Sequence, residues 1–171
     1  MKLNVKEAAV FSMLGAVMYC SKMLMEALPN IHLIGVMTMA LTLVYRKKAL
    51  YPIYVFVFMT GLLSGFSTWW VPYLYIWTVL WGVTMLLPKE LPKKAAPFIC
   101  MTVCGLHGIF YGILYAPVQA LFFGLDFKGM LSWIAAGFSF DLVHCVSNFL
   151  CAMLVIPIAA LIKKAEKYSS R

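Results

Sequence analysis

An acid, a histidine and an asparagine, Asp141, His144 and Asn148, stand inside the last apolar stretch of the chain, in the run DLVHCVSNF. Their spacing of i, i+3, i+7 lays them along one stripe of a helix. Between them they offer a carboxylate, an imidazole and an amide, groups able to accept, donate or exchange protons and to hold a polar solute. A single Asp at the centre of a bilayer costs roughly 2.5–3.5 kcal/mol on insertion scales. An apolar helix carrying all three groups therefore needs something that offsets the cost.

Other chemistry-bearing residues fall at related depths. His107, Tyr111 and Tyr115 recur at i, i+4, i+8 and form one ridge. Lys22 and Glu26 lie one turn apart near the end of the first apolar segment, followed by Asn30 and His32. Trp69 and Trp70 end the third segment, and Tyr73 and Trp77 share a face of the fourth. Polar groups converging from several helices can surround a water-filled vestibule, which removes the insertion cost. Aromatic walls with a few hydrogen-bonding groups suit a small planar solute. These fourteen residues form the expected substrate-binding set.

Other roles are open to the same residues. Trp69, Trp70, Tyr73 and Tyr75 suit an interfacial aromatic belt, and Lys22 with Glu26 suits an exposed i, i+4 pair. A Glu at the C-terminal end of a helix opposes the helix dipole, which favours a partner or ligand for Glu26. Asp141 suits an N-cap for the last helix. An intramembrane enzyme would use Asp141, His144 and His107 as acid–base groups and Ser139 or Cys145 as nucleophile, but Cys145 lies about 100° around the helix from His144. An ion-coupled carrier would use Asp141 and Glu26 as relay sites. Inverted repeats are common in such carriers, and none is visible.

Composition fixes the surroundings. Of 171 residues 64% are hydrophobic and 12% charged, too little polar surface to cover a soluble domain. The net charge of +8 is sorted rather than spread: twelve of the fourteen Lys and Arg fall in four clusters. These are Lys2 and Lys6; Arg46, Lys47 and Lys48; Lys89, Lys93 and Lys94; and Lys163, Lys164, Lys167 and Arg171. They punctuate every second gap between apolar segments, which is a positive-inside pattern and not a nucleic-acid surface. The five cysteines, Cys20, Cys100, Cys104, Cys145 and Cys151, show no metal-ligand spacing, and no metal or cofactor is expected.

Against a hydrocarbon core of about 30 Å, the pattern predicts an all-α fold: a single domain, residues 1–171, built as a six-helix transmembrane bundle. The spans are Ala8–Leu28, stopping at Pro29-Asn30; Ile31–Tyr45; Ala49–Phe66; Val71–Leu87; Ala95–Tyr115; and Phe138–Ile162. The first reads as a retained helix, without the small-residue cleavage site of a signal peptide. Leu125–Gly137 reads as a loop or short interfacial helix with its break at Gly137, and Pro157 as a kink. An even number of spans puts both termini in the cytoplasm. Ala116–Gly129 is the longest outer connection and hence the lid candidate. Small residues make ridges: Ala8, Ser12, Ala16 and Cys20 on the first helix, Gly61 and Gly65 on the third, Gly108 and Gly112 on the fifth.

Six short helices, inner basic clusters, an outer polar pocket and the first-helix ridge together resemble the S-components of energy-coupling factor (ECF) transporters. The run GFSFDLVHCVSNF is similar to their Gly-x-x-Phe-Asp-Leu-x-His pattern at the outer end of the sixth helix. The resemblance covers essentially the whole chain. It implies a capture protein for a vitamin-like or heterocyclic nutrient in a bacterial plasma membrane, working with a transmembrane T-component and two cytoplasmic ATPases. The chain has no G-x-x-x-x-G-K-[ST] phosphate loop of its own. S-components are thought to topple in the membrane to carry solute inward, and the resemblance makes Ala8, Ser12 and Ala16 the surface that meets the T-component. Many members carry AxxxA there, and here Ser12 interrupts the alanine pattern.

Overall fold

A computed structural model describes residues 3–28 and 30–169. Lys2, Arg171 and the predicted stop at Pro29 lie outside the described residues. The described chain is helical with no strand. Its elements are α1 (Val5–Leu24), α2 (Ile34–Tyr45), α3 (Leu50–Ser64), α4 (Tyr73–Leu86), α5 (Ala96–Ile109), α6 (Tyr111–Phe123), α7 (Phe127–Cys151) and α8 (Val155–Ser169). Among the described residues three continuous stretches are long and apolar enough to cross a membrane: Val5–Leu24, Ala96–Phe123 and Phe127–Tyr168. α2, with 12 residues, is about 18 Å long, well short of an apolar bilayer core.

Local chemistry explains the ends. Asn4 caps α1 by accepting from the Glu7 backbone N–H at 2.8 Å, and the Glu7 carboxylate returns the contact to the Asn4 N–H at 3.2 Å, a reciprocal capping box. Asp126 caps α7 through the Gly129 N–H at 2.7 Å. Gly124 closes α6 in the left-handed conformation at φ 64°. Two 3₁₀ turns, Arg46–Ala49 and Ala152–Leu154, each end three residues before a proline, Pro52 and Pro157. A proline ring clashes with the carbonyl four residues earlier, and the tighter turn moves that carbonyl aside. Ahead of Pro157, where a kink is expected, α7 gives way to α8 through such a turn.

Several predicted boundaries are corrected. α1 stops at Leu24, so Glu26 lies past its C-cap, Met25, and not in the helix. The fifth stretch does not end at Tyr115: α6 runs through Pro117 to Phe123, leaving only a short link before α7 in place of a long lid. Gly137 breaks nothing, because α7 is continuous through it and a Cβ there would meet no atom within 4 Å. Asp141 is therefore mid-helix and caps no helix of its own. Gly65 is no packing notch but the left-handed end of α3, at φ 94°.

Packing runs inside out compared with a soluble protein. The buried residues of α7 are Asp141, His144, Ser147 and Asn148, all polar. Its exposed large residues include Phe138, Phe140, Leu142, Val143, Val146 and Leu150. In water such a helix would turn over, whereas in lipid this is the low-energy orientation. α2 is the opposite case, with Ile34, Gly35, Val36, Thr38, Met39, Ala40, Leu41 and Thr42 all buried. A helix apolar all round belongs in the middle of a bundle. Walled by protein, α2 need not match the bilayer in length.

One end of the molecule gathers the basic segments. Lys48 forms an ion pair with Glu7, and the Arg46 guanidinium donates to the Met85 carbonyl at 2.7 Å. A cleft of about 700 Å³ is lined by Lys6 and Glu7 of α1, Tyr45 of α2, and Lys163 and Lys167 of α8. The start of α1, the ends of α2 and α4 and the tail of α8 thus share that end.

Candidate functional site

The opposite end holds the polar groups. His32 lies two residues before the start of α2, Trp77 lies in the second turn of α4, and His107 is the third-last residue of α5. All three histidines of the chain meet there. The His32 and His144 Nε2 atoms are 2.7 Å apart, so one ring donates its N–H and the other accepts. The His32 ring lies 5.8 Å from that of Trp77, Trp77 lies 5.7 Å from His107, and Tyr111 packs 4.6 Å from His144. An aromatic ladder continues outward from Tyr111 to Tyr115 and Trp133, and from Trp77 to Tyr73 and Trp69.

Glycines let this site form. A Cβ on Gly108 would sit 2.7 Å from the His144 carbonyl oxygen and 2.8 Å from the Cys145 nitrogen, so α5 and α7 touch backbone to backbone there. Gly105 faces Cys145 and Phe149 one turn further along, and Gly112 faces Asp141. Small residues allow such close approach where lipid gives no hydrophobic drive. The stripe Gly105, Gly108, Gly112 fixes the depth of His107 relative to His144.

Asp141 has a specific partner. Its Oδ1 accepts from the Gly112 backbone N–H at 3.0 Å. Gly112 is the second residue of α6, where helical N–H groups have no partner within the helix. The carboxylate on α7 thus caps a neighbouring helix across the interface.

A short strap covers this end. The Ser147 hydroxyl donates to the Asn30 carbonyl at 2.8 Å, and with the His32–His144 contact it holds residues 30–33 against α7. Asn30 has φ 60°, the left-handed region that Asn tolerates better than most residues.

Several polar atoms in this layer are buried without a protein partner: Trp77 Nε1, His107 Nδ1, His32 Nδ1 and both amide atoms of Asn148. Trp77 and Asn148 are each only 1% exposed. Among the described residues no Lys, Arg or Glu is in the buried set, and Asp141 is its one carboxylate.

His32, Trp77, His107, Tyr111 and His144 thus come together, with Tyr73, Tyr115, Trp69 and Asp141 around them, and Asn148 lies one turn along α7 from His144 with its Oδ1 near Gly35. Asn30 contributes its carbonyl to the strap. Others lie apart. Trp70 donates to the Val57 carbonyl at 2.8 Å and packs on Phe66, within the α3–α4 connection. Glu26 is exposed and makes no ion pair with Lys22, which is half-buried and within electrostatic reach of His32. Ala8 and Ser12 are exposed and Ala16 half-buried, while Gly15 of the same helix packs on Val55 and Pro52 of α3. Ser139 is exposed and Cys145 half-buried. The sequence reading missed Ser147 and Trp133. Ser147 follows His144 by three positions, so the stripe rule could have found it, whereas Trp133 sits in the segment expected to be a loop. Comparison with protein-family models, curated proteins and solved structures gives no match, and the functional reading rests on the residues themselves.

Proposed function

We propose that this chain is the substrate-capturing S-component of an ECF-type transporter, binding a small nutrient at the outer face of a bacterial plasma membrane. With α5–α6 and α7–α8 each taken as one rod, the chain makes six rods, an even number that returns the C-terminus to the side of the N-terminus. The shared basic end then faces the cytoplasm by the positive-inside rule, and both termini lie there. A T-component and two ATPases supply the driving force.

The observation that carries this reading is the polar layer itself. Every buried residue of α7 is polar, and at this end of the molecule Trp77, His107 and Asn148 keep unpaired hydrogen-bonding atoms. Buried polar groups in native proteins are almost always paired, and a bound solute would pair these. The strap at residues 30–33, tied by two hydrogen bonds, is the natural entry point in place of the expected Ala116–Gly129 lid. The exposed faces of Ala8 and Ser12 leave the small-residue ridge of α1 open to another helix.

The test is reconstitution. Proteoliposomes holding this chain with a T-component and ATPases are expected to accumulate the solute that copurifies with it, dependent on ATP. Accumulation by this chain alone, driven by an ion gradient, would instead identify a carrier.

A further inference from the structure

Building on the capture role proposed above, we infer that the solute is an uncharged planar heterocycle with an amide edge, a ring lactam or a carboxamide, whose neighbouring donor and acceptor pair with the side-chain amide of Asn148. Both Asn148 atoms, Oδ1 and Nδ2, are buried and unpartnered. The side chain is 1% exposed, and its Oδ1 lies beside Gly35, in a spot shared with Cys104 and Leu80. An amide buried among apolar neighbours with both ends unpaired is costly. A group that presents one donor and one acceptor side by side satisfies both at once.

The other unpartnered atoms repeat this balance. His107 Nε2 faces the Ile76 carbonyl at 3.2 Å. A carbonyl only accepts, so that nitrogen carries the proton and Nδ1 of the neutral ring is an acceptor. Trp77 Nε1 only donates. Trp77 and Asn148 therefore offer donors and His107 and Asn148 acceptors, all without formal charge, while His32 Nδ1 donates or accepts according to which way the His32–His144 bond runs. Of the charges expected to recognise a solute, Glu26 is exposed, Asp141 already accepts from Gly112, and Lys22, within electrostatic reach of His32, is only half-buried. An anion would meet no buried cation, and a cation would find one carboxylate already bonded. The flat walls come from Trp77, which lies 5.7 Å from His107 and 6.2 Å from Tyr111.

The test uses the full chain in lipid nanodiscs and two matched probe sets measured by calorimetry. Nicotinamide, nicotinate and 1-methylnicotinamide share a ring and differ in charge; hypoxanthine and purine share a ring system and differ in the lactam. The expected result is that nicotinamide or hypoxanthine binds, with its charged or lactam-free counterparts weaker by about tenfold or more, the size of one or two lost hydrogen bonds. Asn148→Leu is expected to keep its unfolding midpoint and to lose the preference for the amide-bearing probe. Equal or tighter binding of nicotinate, 1-methylnicotinamide or purine would overturn this inference and leave the capture role standing. If no probe binds but a solute copurifies, its mass and charge decide: an uncharged amide or lactam supports the inference, and a charged molecule overturns it. If no probe binds and nothing copurifies, the capture role falls with it.

Discussion

Asp141 Oδ1 on α7 accepts the backbone N–H of Gly112 on α6 at 3.0 Å, so a carboxylate within one apolar helix serves as the N-terminal cap of a neighbouring helix. A buried N–H that loses its acceptor costs about 1–3 kcal/mol. Asp141→Ala should lower the unfolding midpoint in detergent, while Asp141→Asn, which keeps an acceptor oxygen at the same place, should recover most of the loss. Equal midpoints for the two variants would show that the bond contributes nothing.

The glycine stripe orders a second set of variants. At Gly108 an added Cβ meets backbone atoms of His144 and Cys145 at 2.7–2.8 Å, and backbone cannot step aside. At Gly112 the obstacle is the Asp141 carboxylate, 2.2 Å from the new carbon, which a rotamer change can relieve only by giving up the cap. At Gly137 nothing lies within 4 Å. Gly108→Ala should be the most destabilising, by roughly the 1–3 kcal/mol typical of overpacking. Gly112→Ala should follow, and Gly137→Ala should be stabilising by about 0.5–1 kcal/mol from the helix preference of Ala over Gly. Thermal unfolding of the three variants checks the order, and a destabilised Gly137→Ala would contradict the continuous α7.

The strap gives a kinetic prediction. Ser147 and His144 hold residues 30–33 by two hydrogen bonds. Removing both with Ser147→Ala and His32→Ala should free the segment. In a Cys20→Ser background, labelling of Ile31→Cys by a membrane-impermeant thiol reagent should speed up several-fold relative to the chain with the strap intact. An unchanged rate would mean that the segment is held by packing alone.

Side-chain spacing made the chemistry of α7 legible before any coordinates, because i, i+3, i+7 is a property of one helix. The same holds for His107 and Tyr111, which stayed on one face even though α5 gives way to α6 between them. The partners of these residues were not legible. His32 and His144 are 112 positions apart, and only the packing of α2 against α7 shows that they share a proton. Residues called polar by type were likewise misplaced where the backbone left the helix earlier than the apolar run did. Glu26 lies in an exposed turn because α1 ends at Leu24, although hydrophobic residues continue to Leu28. The outer connection and Gly137 misled in the other direction. The stretch expected to be a connection from Ala116 onward is helical, since α6 continues past Pro117 to Phe123. Gly137 merely lacks a side chain on an open side of α7.

On the proposed capture role, variants in the outward ridge of α1 test transport apart from binding. Ala8 and Ser12 are exposed, and the inward face of the same helix is formed by Phe11, Gly15 and Met18. A bulky residue at Ser12 therefore touches nothing within the chain, and such exposed substitutions shift stability by no more than about 0.5 kcal/mol. A helix that meets this ridge from outside would lose its close approach, since contact between helices in lipid depends on small residues at the crossing. Ser12→Leu should thus leave the unfolding midpoint and solute affinity of the purified chain as they are. In proteoliposomes with a T-component and ATPases, the same variant should cut ATP-dependent uptake severely, and Ser12→Ala, which restores the plain alanine pattern, should transport at least as well as the parent. Uptake by Ser12→Leu at the parental rate would remove the ridge from the docking surface while leaving the solute site untouched.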